Sequence, residues 1–150
     1  MIHTLKTLPK LISLIVVMLV LVNCSDKYKK VPDDKFVGLW ELKGRSMFEG
    51  MQVRIEKNGN SLVGKIAKLN DNKIINMFMS ENDVWVADIA RRSNFEFKLT
   101  EKKVAKDLFS LYGLSTSQEY KAQFIDDNTF GLALESSDPL QSKILYKRIE

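Results

Sequence analysis

Histidine and cysteine, the side chains most used for nucleophilic, acid–base and metal chemistry near neutral pH, are scarce in this chain of 150 residues, so acid–base work would fall to carboxylates, Lys or Tyr. The chain holds one cysteine, Cys24, and one histidine, His3, and both stand ahead of the polar part of the sequence. A Ser-His-Asp triad or a Cys-His pair needs a histidine beside its nucleophile, and zinc sites are built largely from histidine and thiolate. Cleavage just before Cys24 would remove His3 with the first 23 residues, and acylation of Cys24 would take the thiol. The 127 residues left would hold no side chain that ordinarily changes charge between pH 5 and 8. No glycine-rich phosphate loop, calcium-loop pattern or repeated acidic motif is present. The sequence points away from an enzyme and implies neither a metal nor a cofactor.

Cleavage at that point is suggested by what precedes it. Lys6 and Lys10 lead into an apolar run, Leu11 to Val22, broken only by Ser13. A basic start, a short apolar stretch and a brief tail make a secretory signal. The run of 12 residues is too short to span a bilayer core, which takes about 20. The segment Leu21-Val22-Asn23-Cys24 resembles a bacterial lipoprotein signal, in which the cysteine becomes the lipidated first residue. Leu21 fits that pattern, whereas Asn23 stands where Gly, Ala or Ser is usual. A free cysteine in an exported protein is otherwise an oddity. The resemblance implies a chain anchored to the membrane by lipid on Cys24. Ser25 after the cysteine implies the outer membrane, facing the periplasm. An ordinary signal peptide cleaved nearby, or an uncleaved anchor, is the alternative.

Charge adds little. Without Lys6 and Lys10, 21 basic residues face 19 acidic ones. They are scattered, with no basic stripe interleaved with aromatics, so nucleic acid is not an expected partner. Residues 1–23 read as the signal and 24–35 as the lipidated cysteine with a polar tether. Lys27, Lys29 and Lys30 lie close to the lipid site, where each would add about 1 kcal/mol of attraction to anionic headgroups or serve only as a solvated tail. Residues 36–150 read as one domain.

The elements that position the remaining side chains are strands. Met51-Val53-Ile55, Trp85-Ala87-Ile89, Phe95-Phe97-Leu99, Tyr120-Ala122-Phe124 and Phe130-Leu132-Leu134 alternate with polar neighbours at period two and predict inward rows. Asn58-Gly59 suits a tight hairpin. Asp71-Asn72, Ser93-Asn94, Asp126-Asp127-Asn128 and Ser136-Ser137-Asp138-Pro139 are further turn clusters. Strands are predicted to start near residues 38, 51, 61, 73, 84, 95, 118, 128 and 142. That recurrence marks an antiparallel barrel or sandwich. Val104 to Gly113 fits a short helix or an extra strand equally.

Gly38-Leu39-Trp40, opening the first strand, resembles the lipocalin superfamily, which also includes the fatty-acid-binding barrels. The resemblance implies an all-β fold, an antiparallel up-and-down barrel of 8–10 strands. It also implies a Trp at the closed end with an Arg from the last strand across it, here Trp40 and Arg148, with Gly38 beside them. The fatty-acid-binding proteins hold a carboxylate with an Arg and a Tyr of their last strand. Tyr146 and Arg148 are of those types but in reversed order, and the lid helices of that group have no counterpart between Arg45 and Gly50.

An eight-stranded barrel holds either a small ligand or its own side chains. Inward aromatics beside Gly64, Ala87 and Ala122 leave room or interlock. The candidate binding residues are Trp85, Phe97, Tyr120 and Phe124 on inward rows, and Met77 and Met79 in the apolar stretch Ile74 to Met79. Lys68 joins them as a cation near the mouth. The expected function is non-enzymatic binding of a small apolar or amphipathic molecule in the bacterial envelope. The alternative is a module that docks another envelope protein, with a filled barrel.

Overall fold

The computed structural model describes residues 29–150; Cys24, the apolar run and the start of the tether lie outside the described residues. Val31–Glu150 forms one compact unit, which begins ahead of Phe36, the start expected from composition. Its strands are β1 (Gly38–Lys43), β2 (Gln52–Asn58), β3 (Ser61–Lys68), β4 (Val84–Arg91), β5 (Glu96–Lys102), β6 (Ser117–Asp126), β7 (Thr129–Ala133) and β8 (Ile144–Arg148). Each runs antiparallel to the next, and β8 returns to pair with β1, so the sheet closes on itself. This is an all-β, up-and-down barrel of lipocalin-like architecture.

Two short helices interrupt the meander, α1 (Lys73–Phe78) and α2 (Lys106–Leu111). The strand expected from residue 73 is α1. Its start is fixed by Asn72, whose side-chain oxygen accepts from the backbone N–H of Ile74 at 3.0 Å and of Ile75 at 3.3 Å. Ile75 and Met79, one helical turn apart, are buried, while Ile74, Met77 and Phe78 point outward. The missing period-two alternation was a helix period seen through a short window. Between 104 and 113 the helix prevails. Gly113 ends it at φ 66°, where the Leu114 N–H donates back to the Phe109 carbonyl at 2.9 Å. Leu108 and Leu111 are exposed rather than core, so only Val104 and Phe109 tie this segment down.

The β2–β3 turn is Gly59-Asn60, one residue later than expected. Asn58 stays paired with Ser61, and only Gly59 takes the positive φ. The inward rows hold for Met51-Val53-Ile55 and for Phe97-Leu99, but Phe95 and Leu134 are exposed. The row through Trp85 breaks because the β4 register shifts on both sides, between Gly64 and Lys65 and between Val86 and Asp88. Trp85 and Val86 are consequently both buried and Ala87 is only half-buried. Gly64 interlocks rather than leaving space: a Cβ there would stand 2.8 Å from Val86 Cβ and 2.9 Å from Val53 Cγ1.

The connections sort by length onto the two ends of the barrel. At one end the turns are short, after Asn58, Arg91 and Asp126. At the other lie the four long connections, which carry the β1–β2 loop, α1, α2 and the 3-10 turn Pro139–Gln141. This open end is where a site has room to form.

Candidate functional site

The short-turn end is plugged. A 3-10 turn, Asp33–Phe36, lies ahead of β1 and drives Phe36 fully into the barrel. Its ring centroid sits 4.7 Å from those of Phe97 and Phe124 and 5.1 Å from that of Phe130. The Trp40 indole N–H donates to the Phe36 carbonyl at 2.7 Å, and Trp40 pairs in register with Arg148. The guanidinium carbon of Arg148 stands 4.2 Å from the indole centroid. Its Nη1 donates to the Val37 carbonyl at 2.8 Å and its Nη2 to the Lys35 carbonyl. Gly38 stands at φ 142°, a conformation that favours glycine, and a Cβ there would also crowd the Glu150 carbonyl oxygen at 2.9 Å. The segment read as tether is partly built in too: the Val31 N–H donates to the Asn94 carbonyl at 2.8 Å, and Arg91 binds Asp33.

Phe97 and Phe124 therefore belong to the closed-end cluster. Trp85 and Tyr120, by contrast, line an open-end cleft of about 290 Å³ together with Met47, Phe48, Val104 and Phe109. Met79 and the exposed Phe78 border a neighbouring groove. Met77 projects from α1 with 77 % of its surface exposed. Lys68 is exposed at the end of β3 and is absent from the cleft lining.

At the floor of the cleft runs a buried polar chain that sequence reasoning missed. The Trp85 indole N–H donates to the Tyr146 hydroxyl at 2.8 Å. Tyr146 in turn donates to one oxygen of Glu101, and Arg45 Nη1 donates to the other at 2.6 Å. Glu101 is only 2 % exposed. It continues the inward row Phe97-Leu99, so a charge on an apolar face was its legible signal. Arg45, in the β1–β2 loop, had none. Its guanidinium carbon also stands 5.0 Å from the Tyr120 ring centroid. Its Nε and Nη2 are buried and have no hydrogen-bond partner among the described residues.

The electrostatics follow from this arrangement. Burial works against the Arg45 charge, but the Glu101 carboxylate outweighs it and moves the pKa up, so Arg45 is always a cation. Burial, then the Glu101 charge, pushes the Tyr146 hydroxyl well above its ordinary range. Burial raises Tyr120 as well. Both oxygens of Glu101 are occupied, which makes it the holder of Arg45 and Tyr146. Tyr146 meets the protein's own carboxylate, Glu101, and the arginine beside it is Arg45, whereas Arg148 is spent on the Val37 and Lys35 carbonyls at the other end of the barrel.

Around the cleft the open end is apolar at its surface. Ten of the fourteen large exposed hydrophobic side chains among the described residues lie in its four connections, Leu111 reaching 83 % exposure. The described residues contain no group of three or more His, Cys, Asp or Glu side chains placed to hold a metal ion.

The fold and site together define a closed, eight-stranded, lipocalin-like barrel with a plugged base and a cleft at its mouth. No protein family, curated protein or solved structure matches the chain.

Proposed function

We propose that the chain is a lipid-anchored, non-enzymatic binding protein that takes a small amphipathic molecule in its open-end cleft. The observation that carries this reading is the cleft itself, with walls from Met47, Phe48, Trp85, Val104, Phe109 and Tyr120 above a floor of fixed polar groups. Its volume of about 290 Å³ lies at the lower edge of ligand pockets. It accommodates about ten water-sized groups of about 30 Å³ each. Below it the barrel is filled by Phe36, Trp40, Phe97 and Phe130, so a longer molecule would project outward past α2. Lipid on Cys24 supplies the membrane attachment, on the sequence pattern given above.

An apolar fluorescent dye titrated into the full-length chain tests the reading. Trp85, in a Trp40→Phe background, should be quenched strongly, because it lines the cleft. Trp40, in a Trp85→Phe background, should respond weakly. No binding below about 100 μM would overturn the reading, since weaker association is below about 5.5 kcal/mol.

The exposed Ile74, Met77 and Phe78 of α1, with Leu108, Leu111 and Tyr112 at α2, favour a second reading, a docking face for another envelope protein. Large exposed apolar patches commonly mark such faces. Crosslinking from position 77 or 111 in the native host would then give a discrete adduct that competes with no small ligand.

A further inference from the structure

We infer that the α1–α2 face of the open end is covered by a second copy of this chain, turned about a two-fold axis that lays α1 of each copy on α2 of the other. This goes beyond the ligand-binding reading and does not rest on it. The face is large. α1 and α2 stand on either side of one groove of about 410 Å³, walled by Phe78 and Met79 on one side and by Ala105, Lys106 and Asp107 on the other. Ile74, Met77 and Phe78 of α1 and Leu108, Leu111 and Tyr112 at α2 are between 52 % and 83 % exposed. At about 200 Å² for a fully exposed large side chain, these six amount to about 800 Å² of bare surface. The largest apolar patch on a typical monomer is about 300–600 Å², whereas a stable complex buries about 800 Å² on each partner.

The charges on the face select a second copy as the occupant. Residues 71–83, around α1, hold Asp71, Glu81 and Asp83 against Lys73, a net of −2. Residues 102–114, around α2, hold Lys102, Lys103 and Lys106 against Asp107, a net of +2. The whole face is therefore neutral, which gives an anionic bilayer no electrostatic hold on it. Divided in this way, it is complementary to itself.

A two-fold axis lying along the groove sets the acidic half of each copy on the basic half of the other, and the two contacts are identical. The apolar side chains of α1 then meet those of α2. Opposite charges placed this way fix the register and penalise the arrangement that would set like halves together. Among the described residues, only Lys106 and Asp107 of these eight charges form an ion pair, and they do so with each other. The other six are free to pair across the axis. A closed two-fold contact also uses the face up, so pairs form rather than open filaments.

Photocrosslinking of the full-length chain in cells of its native host tests the inference, with benzoylphenylalanine in place of Tyr112. The parent should give an adduct of two chain masses, joined to residues 71–83 of the second copy. Lys102→Glu with Lys106→Glu turns the basic half to a net of −2, and Asp71→Lys with Glu81→Lys turns the acidic half to a net of +2. Each double variant alone should lower the two-chain adduct at least about tenfold, because both contacts become repulsive. Made together, with the photoreactive residue on one of them, they should restore the adduct to within about twofold of the parent, since every half again meets its opposite. Circular dichroism checks that each variant is folded; should a double variant unfold, Lys106→Glu or Glu81→Lys alone, both at exposed positions, takes its place with a smaller fall expected. An adduct with a different protein, an adduct with lipid alone, or no adduct would overturn the second copy as occupant. A two-chain adduct that charge reversal leaves unchanged, or that mixing fails to restore, would overturn the two-fold arrangement.

Discussion

Removing Trp40 and Arg148 singly and together measures how the base of the barrel is held. Trp40 is wholly buried, packs 4.8 Å from Phe130, and its indole N–H donates to Phe36. Trp40→Ala should cost about 3–5 kcal/mol, the range for losing a large buried aromatic. Arg148→Ala removes the cation over the indole, about 0.5–2 kcal/mol, and two charge-assisted hydrogen bonds to the Val37 and Lys35 carbonyls. Arg148 is half-exposed, and water replaces part of that loss, so about 2 kcal/mol in total is expected. The cation needs the ring and the ring needs the cation, so the double variant should lose about 0.5–2 kcal/mol less than the sum of the singles. Urea unfolding followed by far-ultraviolet circular dichroism reads each term without relying on the removed fluorophore. Against a total stability of about 5–15 kcal/mol, Trp40→Ala could leave too little folded protein to fit. Trp40→Leu, which also lacks a π face, then takes its place. Additivity within about 0.3 kcal/mol would refute the reasoning, because contacting groups at 4.2 Å should not behave as distant ones.

Three further outcomes are expected. Glu101→Leu strands the Arg45 cation in the interior and should destabilise by about 3–5 kcal/mol, whereas Glu101→Gln, which keeps an acceptor, should cost clearly less; both are read by the same unfolding assay. In alkali, Tyr146 keeps its proton in the fold beyond the pH at which an unfolded tyrosine loses it, since burial and Glu101 raise its pKa. Its contribution is therefore complete below about pH 10 and is lost as pH rises above that, so the phenolate absorbance of Tyr146, taken as the difference from Tyr146→Phe, should appear only with unfolding. Cys24→Ala should shift the chain out of the membrane fraction or leave it unprocessed; unchanged fractionation and processing would overturn lipid attachment.

Most of the barrel was legible because a half-buried strand writes its face directly into alternation. Met51-Val53-Ile55 needed no tertiary information, and Gly38-Leu39-Trp40 with Arg148 marked the closed end. Alternation failed where something covered the second face. All of β7 from Phe130 to Ala133 is buried because the turn Pro139–Gln141 packs behind it, leaving Pro139 O only 2.0 Å from where a Gly131 Cβ would be. The helix α1 was misread as a strand because six residues are too few to show a 3.6-residue period, although Asn72 was a visible cap. The cleft was half legible. Trp85 and Tyr120 stood on apolar rows, but Arg45 became meaningful only once folding brought it to Glu101. That pairing joins the β1–β2 loop to strand β5, and although Glu101 shows as a charge on an apolar row, its partner is not written beside it.

The pairing of β1 with β8 also decides when the molecule can exist. Every other ladder joins neighbours in the chain, through turns as short as Gly59-Asn60. The β1–β8 ladder joins Trp40 to Arg148, across nearly the whole described length. As the chain emerges from a ribosome, β1 keeps a bare row of amide and carbonyl groups until β8 arrives. Such an edge invites pairing with a second chain. Closure of a long loop is entropically slow to begin, so the final few residues, Ile144 to Arg148, govern whether nascent copies become separate barrels or strands shared between molecules.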